Sequence, residues 1–233
     1  MKKIITLILS VVFLALGGGT NCYAAETDTV PGELLAIQIR QEKQHQEDKL
    51  FASLSAFTII SEDKAMAQIH FYGAISSQVA VSLQNDLFVL ENKTAIRNIN
   101  IYLSSLGGEM FAGFAVIEII KMAKKSGFTF TIYAMGTVGS MAIPIYAVCE
   151  PRIAYHSTVF MVHPSTLGTA KMMLTGADLQ SQTDLYNMTQ NQYVSVLAEY
   201  TNLSKEEWLE KIKTDTWFSA DQAKEWGLVD EIR

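Results

Sequence analysis

The sequence predicts an α/β fold with a largely parallel sheet. From about Ala65 onward, short apolar runs typical of strands alternate with longer amphipathic stretches typical of helices. Strands and helices that alternate at this spacing are joined by crossover connections, which pair the strands in parallel. The chain has 233 residues, of which 49% are hydrophobic and 18% charged, so it is long and apolar enough to fold around a real core.

The first 24 residues are predicted to be a secretory signal peptide. Lys2 and Lys3 provide a basic start, and the apolar run Ile4–Leu16 is too short to cross a bilayer comfortably. Cys22 and Ala24 then supply small residues at the −3 and −1 positions of a cleavage site. The alternative is an uncleaved N-terminal anchor.

The remaining chain is acidic. Cleavage after residue 24 would remove two lysines and no acidic residue, which takes the net charge from −6 to −8. No basic stripe remains, so neither nucleic acid nor an anionic membrane is expected as a partner. The single cysteine left, Cys149, cannot form an internal disulfide and is expected to be a buried small hydrophobe. We expect neither a cofactor nor a bound metal ion.

Two regions are predicted in the mature chain. Residues 25–64 form an N-terminal arm, in which Gln38–Lys49 is polar enough for a solvated helix, and residues 65–233 form the folded domain. Strands are expected at Ala67–Tyr72, Ile99–Leu103, Phe128–Tyr133, Arg152–Tyr155 and Val159–Val162, with a last strand or edge at Leu228–Ile232. Helices are expected at Ser76–Leu90, Glu109–Ala123, Met141–Val148, Leu174–Tyr200, Ser204–Lys213 and Ser219–Trp226.

For some of these helices the sequence also predicts burial or the residues that cap their ends. The helix over 109–123 is apolar nearly all round, which predicts deep burial. Ser204 and Glu207 have the spacing of a capping box, and Gly227 stands where a left-handed residue closes a helix.

The segment from Tyr133 to Ala142 joins a strand to an apolar helix through a glycine-rich turn, with Ser140 at the joint. Gly136 and Gly139 allow a sharp turn and the close approach of a substrate. This arrangement presents a hydroxyl at a helix N-terminus, as in the nucleophile elbow. Ser140 is therefore a candidate nucleophile, and an ordinary N-cap serine is the alternative.

A serine nucleophile needs a base and donors for an oxyanion. His163 follows the buried strand run Val159–Val162, where ligands collect in open α/β sheets, and is the best base candidate among four histidines. An ordinary strand-end histidine is the alternative. Gly107 and Gly108 precede a helix, and backbone N–H groups at a helix N-terminus bind negative charge. The alternative is that the two glycines only form a turn between the strand and the helix. The residue pattern leaves open which of the 24 acidic residues orients the histidine.

Several segments together resemble, in order and spacing, the ClpP family of proteolytic subunits. They are Ser104–Gly108, Met135–Met141, Phe160–Pro164, Asp215–Ala220 and Gly227–Asp230. The resemblance covers about residues 67–233. It implies a serine peptidase of the ClpP/crotonase-like fold, with stacked crossover βαβ units, a mainly parallel sheet and a protruding handle helix.

The resemblance also assigns the site. The family's nucleophile falls on Ser140, its histidine on His163 and its aspartate on Asp215. Its oxyanion-hole amides fall on Gly108 and Met141. Peptides or unfolded proteins are the implied substrates.

The sequence departs from the family pattern near this site. Leu106 stands where the family usually has proline, and Asn100 replaces one aromatic residue of the surface that docks the ATPase. Pro144 cannot donate a hydrogen bond to the carbonyl of Ser140, so the first helical turn is predicted to be irregular or to start later.

The resemblance implies a homo-oligomer, either a heptameric ring or a double ring of fourteen. The handle helix would lie within Leu174–Tyr200 and join two rings, with Ser140 facing an inner chamber. The family is normally supplied by an ATP-driven unfoldase. An exported chain would meet no ATP, so a Clp ATPase partner is not expected.

The sequence therefore predicts an exported, periplasmic or secreted serine endopeptidase that cleaves short or unfolded polypeptides. A non-catalytic ClpP-like scaffold, or a regulatory subunit of a mixed ring, is the main alternative. A signal-peptide-peptidase A-like enzyme, which shares the fold but uses a Ser–Lys pair, is a further one.

Overall fold

The computed structural model describes residues 36–37, 39–44, 54–55, 58–63, 65–166 and 173–233. The chain divides into two compact units, Met1–His45 and Gln46–Arg233. The described residues of the first unit are helical and exposed, which confirms the predicted solvated helix over residues 39–44. The predicted signal segment, residues 1–24, lies outside the described residues.

The described part of the second unit alternates strands and helices. Its strands are β1 (Thr58–Ile60), β2 (Met66–Tyr72), β3 (Asn98–Ser105), β4 (Thr129–Gly139), β5 (Arg152–Ala154), β6 (Val159–Val162), β7 (Thr216–Ser219) and β8 (Glu231–Ile232). Its helices are α1 (Ser77–Lys93), α2 (Met110–Lys125), α3 (Ala142–Ala147), α4 (Gly176–Tyr200), α5 (Lys205–Lys211) and α6 (Ala220–Glu225).

The sheet is mainly parallel, as the sequence predicts. Its strand order is β1-β2-β3-β4-β5-β8, and every pair in this series is parallel except β1 with β2. Strand β6 pairs in parallel with the end of β4, and β7 pairs antiparallel with β6. Strand β1 lies within the predicted arm, so the sheet begins before the predicted boundary at Ala65.

One face of the sheet carries the core. In β3, Ile99, Ile101 and Leu103 are buried, whereas Asn100 and Tyr102, which point the other way, are partly exposed. This alternation is the two-residue period of a strand with one covered face. The apolar sides of α1 and α2 pack with the buried strand residues in one hydrophobic cluster.

Helix α2 differs from its prediction. Phe114 and Ile117 are buried as expected, but Phe111 is 63% exposed and Met122 is 64% exposed. A helix that lies on one face of a sheet buries the side that meets the sheet and its neighbouring helix, and the opposite side stays open. The apolar outer side of α2 is therefore left uncovered within the described part of this single chain.

Strand β4 is longer than predicted, because it continues past Tyr133 to Gly139. Gly136 adopts a φ of +71°, and the register with β3 shifts between Leu103 and Ser105. The strand therefore changes partners along its length: residues 132–134 pair with β5, and residues 137–139 pair with β6. This change brings the end of β6 next to the end of β4.

Helix α4 has two different halves. Near its C-terminus Tyr193 and Leu197 are buried in the domain, whereas nearer its N-terminus Leu179 and Met188 are 53% and 69% exposed. Helix α4 begins at Gly176 rather than near Leu174, and its N-terminus has a capping box that the sequence analysis did not predict. Helices α5 and α6 also begin with capping boxes, and the left-handed φ predicted for the residue closing α6 is observed.

A charged cluster ties the end of the chain to the sheet. The Arg152 side chain donates to both carboxylate oxygens of Asp230, with Nη2 at 2.6 Å from Oδ1, and to the carbonyl of Tyr200. Burial alone would raise the pKa of Asp230, but the hydrogen bonds and charge of Arg152 outweigh it, so the pKa lies below its usual value. The cluster joins β5, β8 and α4.

Candidate active site

Ser140 stands at the end of β4 in a strained backbone conformation. Its φ is 49°, and it is the only residue other than glycine in the described chain with a positive φ. Such residues cluster at functional sites, because the surrounding structure must hold them there. Here the Ser140 N–H donates to the carbonyl of Met161 in β6 at 2.7 Å, which anchors the turn to the neighbouring strand.

The Ser140 carbonyl is also held. Pro144, at the position that normally donates to it, has no N–H. The carbonyl instead accepts from Ile143 N at 3.0 Å and from the Tyr193 hydroxyl at 3.1 Å. Helix α3 accordingly starts at Ala142, after an irregular turn, as the sequence predicts.

Tyr193 reaches this turn from α4. It is 5% exposed, and burial raises the pKa of its hydroxyl, so the group stays protonated and able to donate. The sequence predicts Tyr193 to lie within the handle helix and does not predict its contact with Ser140. The only indication of such a contact in the sequence is indirect, because Pro144 leaves the Ser140 carbonyl in need of another hydrogen-bond donor.

His163 contacts the serine directly. Its Nε2 lies 2.8 Å from Ser140 Oγ, a distance suited to proton transfer between a nucleophile and its base. The residue follows β6, whose Met161 is paired with Gly139 in β4, so the parallel register delivers both side chains to the same edge. The other two described histidines lie elsewhere: His70 stacks on Tyr102 in β3, and His156 is exposed before β6.

The glycine pair lies against the serine. A Cβ added to Gly107 would come within 2.6 Å of Ser140 Cβ, and one added to Gly108 would come within 2.2 Å of the Ile75 carbonyl oxygen. Their φ values are +103° and +155°. Both conformation and space therefore require glycine at these positions.

Backbone donors are available where an oxyanion would form. Gly108 and Met141 both line the cavity that contains Ser140 and His163. The N–H of Gly107 already donates to Ser105 Oγ at 3.1 Å. Within the described chain no acceptor takes the N–H groups of Gly108 or Met141, which leaves two donors for a substrate oxygen.

Asp215 lies beside His163 without being joined to it. The antiparallel register pairs Val162 with Thr216, so one further step places His163 opposite Asp215. Residues at such positions have Cβ atoms about 5 Å apart. The Asp215 side chain is nevertheless exposed, and among the described residues it makes no hydrogen bond to His163. The structure thus brings together Ser140, His163 and the two amides, and leaves the Asp215 carboxylate exposed and, over the residues it describes, without a hydrogen bond to His163.

The cavity beside Ser140 has a volume of about 300 Å³. Apolar side chains from the glycine turn and from α2 line it, together with polar side chains after His163 and on α4. Over the described residues, no group of three or more histidine, cysteine or acidic side chains could hold a metal ion. Cys149 is fully buried as expected, and burial raises the pKa of its thiol to about 12, so it is not a second nucleophile.

The helices in the described part of the chain include none that is both long and apolar enough to traverse a bilayer.

The chain is similar to known proteins of one family. A family model described as Clp protease matches residues 52–233. The ATP-dependent Clp protease proteolytic subunit 2 of Corynebacterium efficiens is 30% identical over 169 residues, covering 71% of this chain and 81% of that protein. The proteolytic subunit 1 of Corynebacterium jeikeium is 29% identical, covering 71% and 86%.

A solved structure shares the fold as well. A mutant of ClpP1 from Listeria monocytogenes superposes with a TM-score of 0.62 at 25% identity, covering 71% of this chain and 90% of that one. The chain therefore belongs to the Clp protease family and is a serine-type peptidase.

Proposed function

We propose that this protein is an exported serine endopeptidase that hydrolyses short or unfolded polypeptides with Ser140, His163 and Asp215. The observation that carries the proposal is the 2.8 Å contact between His163 Nε2 and Ser140 Oγ, beside the unused N–H groups of Gly108 and Met141. A nucleophile, its base and two oxyanion donors around one cavity are the parts that acyl transfer requires.

The reaction follows from these positions. Ser140 Oγ bonds to the scissile carbonyl carbon while His163 Nε2 takes its proton, and the N–H groups of Gly108 and Met141 hold the oxyanion. The imidazolium then gives that proton to the leaving amine as the C–N bond breaks. A water molecule next attacks the acyl-enzyme, losing a proton to His163, and that proton returns to Ser140 Oγ as the acid product leaves.

Asp215 completes the triad in this proposal by turning toward His163 Nδ1. Its position opposite His163 in the strand register supports this role, since a change of side-chain rotamer could connect the two groups. The carboxylate would then hold the tautomer in which Nε2 accepts the proton from the serine.

Export is supported by the basic, apolar and small-residue pattern of residues 1–24. The relatives from both Corynebacterium species are named ATP-dependent, whereas an exported enzyme would work where no ATP is supplied. We therefore propose that this chain acts without an ATPase on substrates that need no unfolding. N-terminal sequencing of protein from an exporting host should start near Ala25; a start at Met1, with recovery from the cytoplasm alone, would contradict export.

We further propose a homo-oligomer, a heptameric ring or a double ring of fourteen. Exposed apolar side chains support it, namely Phe111 and Met122 on α2 and Leu179 and Met188 on α4. Soluble monomers seldom leave such patches uncovered, and closed symmetry buries them in repeated contacts. Light scattering after size-exclusion chromatography should give a ring mass; the mass of one chain at micromolar concentration would remove the ring and its chamber.

Labelling with a fluorophosphonate probe tests the catalytic assignment. The parent protein should be labelled and should cleave unstructured peptides, and Ser140→Ala should lose both properties while remaining folded. Ser157→Ala is the matched control, because Ser157 is exposed in the turn before β6 and away from the cavity. Equal peptide cleavage by the parent and by Ser140→Ala would remove Ser140 from the mechanism.

A non-catalytic scaffold or regulatory subunit of a mixed ring is the second candidate. The observation that favours it is the exposed Asp215 carboxylate, which makes no bond to His163 within the described chain. In that case neither the probe nor any peptide would react with the assembled parent protein.

A further inference from the structure

A polar pair of side chains forms part of the wall of the cavity beside Ser140. Ser165 Oγ donates to Gln190 Oε1 at 2.7 Å, and Gln190 Nε2 donates to the Tyr186 hydroxyl at 3.2 Å. Gln190 is only 8% exposed, and it lines the cavity together with Ser165 and the reactive serine. A buried carboxamide is uncommon, because its polar groups lose water and must find other partners.

The pair lies close to the reacting atoms. Gln190 and Tyr193 are three residues apart on α4, so they share one side of the helix with an axial separation of about 4.5 Å. Tyr193 contacts the Ser140 carbonyl, and Ser165 follows His163 by two residues. A scissile carbonyl bound at Ser140 would therefore place the side chain of its own residue in the part of the cavity that Gln190 lines.

Gln190 has hydrogen-bonding capacity left over. A carboxamide offers two N–H donors and an oxygen with two lone pairs. Among the described residues Gln190 uses one N–H, on Tyr186, and one lone pair, for Ser165. Within the described chain one donor and one acceptor of Gln190 therefore remain without a partner, and a second carboxamide can supply a matching acceptor and donor.

We propose that Gln190, supported by Ser165, makes the enzyme prefer glutamine or asparagine at the residue that contributes the scissile carbonyl. The inference rests on the proposed peptidase activity of Ser140. An aliphatic side chain at this position would bury the spare groups of Gln190 without partners, which sites built for hydrogen bonding penalise. Leu106 and Met110, which line the same cavity, offer apolar contacts for the methylene groups of a glutamine side chain.

Peptides that differ only at this residue test the preference. Fluorogenic peptides with glutamine or asparagine should have a kcat/KM about 10-fold above those with leucine or methionine. Gln190→Leu should reverse the order, since leucine has a similar size and no polar group. Gln192→Leu, the same change at an exposed position on the same helix, should keep the parent order. Gln190→Met is the second variant if Gln190→Leu does not fold, as judged by circular dichroism.

A binding experiment separates this inference from the proposed catalysis. Calorimetry would compare peptides ending in glutamine or leucine, which mimic the acid product, on Ser140→Ala and on Ser140→Ala combined with Gln190→Leu. Tighter binding of the glutamine peptide, lost in the double variant, is the expected result. If that selectivity is present but the parent cleaves nothing, only the proposed function fails. Equal or weaker binding of the glutamine peptide, or no binding of either, would overturn the role of Gln190.

Discussion

Replacing Gly107 with alanine should disable the site by pushing the serine out of place. The new Cβ would stand 2.6 Å from Ser140 Cβ and 2.9 Å from both Gly139 O and Met141 N. Carbon atoms in contact sit at about 3.5–4.0 Å, so the two turns must separate by about 1 Å. All three neighbouring atoms belong to the backbone or lie next to it, and none can rotate away.

The expected size of the effect follows from these distances. A misplacement of about 1 Å at a reacting group costs about 100-fold in rate. The φ of +103° adds about 1–3 kcal/mol of backbone strain for alanine, and the crowded contact adds a comparable amount. We therefore expect kcat/KM to fall about 100-fold and the free energy of unfolding to drop by about 2–6 kcal/mol.

Gly73→Ala is the matched control for the strain. Its φ of +102° is nearly identical, but a Cβ there would meet no atom within 4 Å. It should lose about 1–3 kcal/mol of stability and keep its activity. Urea unfolding and peptide hydrolysis measure both quantities for each variant. If Gly107→Ala hydrolyses peptide within threefold of Gly73→Ala, the contact between the glycine turn and Ser140 does not position the nucleophile.

The remaining predictions concern Asp215, Tyr193 and Asp230. Asp215→Asn should slow hydrolysis about 10³–10⁴-fold in steady-state assays with assembly intact, because an amide favours the wrong histidine tautomer; a loss below tenfold would mean another group orients His163. Tyr193→Phe should lower the free energy of unfolding by about 1 kcal/mol and kcat/KM several-fold, because one of the two hydrogen bonds to the Ser140 carbonyl is lost. Unchanged values would show that this hydrogen bond contributes neither to stability nor to catalysis. The pKa of Asp230 is lowered in the folded state, so its contribution to stability is complete above its unfolded value of about 3.9 and is lost as pH falls through the folded value. The difference in unfolding free energy between the parent and Asp230→Asn should thus be larger at pH 7 than at pH 3, and a constant difference would contradict the linkage.

Local patterns were enough to predict most of the fold. The alternation of short apolar runs with amphipathic helices determined the crossover connections and the parallel sheet, and capping residues such as Ser204 marked helix starts that the structure confirms. Pro144 was enough to predict an irregular turn after Ser140, since its effect on a helix is local. Ser140 was found because it stands where a glycine-rich turn joins a strand to a helix, and His163 because it ends a buried strand run; the structure places the two in contact.

Contacts between distant parts of the chain could be decided only by the tertiary structure. The exposed outer side of α2 depends on which neighbours cover the helix, which an apolar pattern alone does not specify. The positive φ of Gly136 and the change of partner of β4 from β5 to β6 accompany a register shift against β3, which no local pattern predicts. Tyr193 and Gln190 reach the site from a helix far along the sequence, and no local pattern marks such a contact. The side-chain rotamer of Asp215 is likewise set by its surroundings, because a strand register determines which residues face each other but not which way a carboxylate turns.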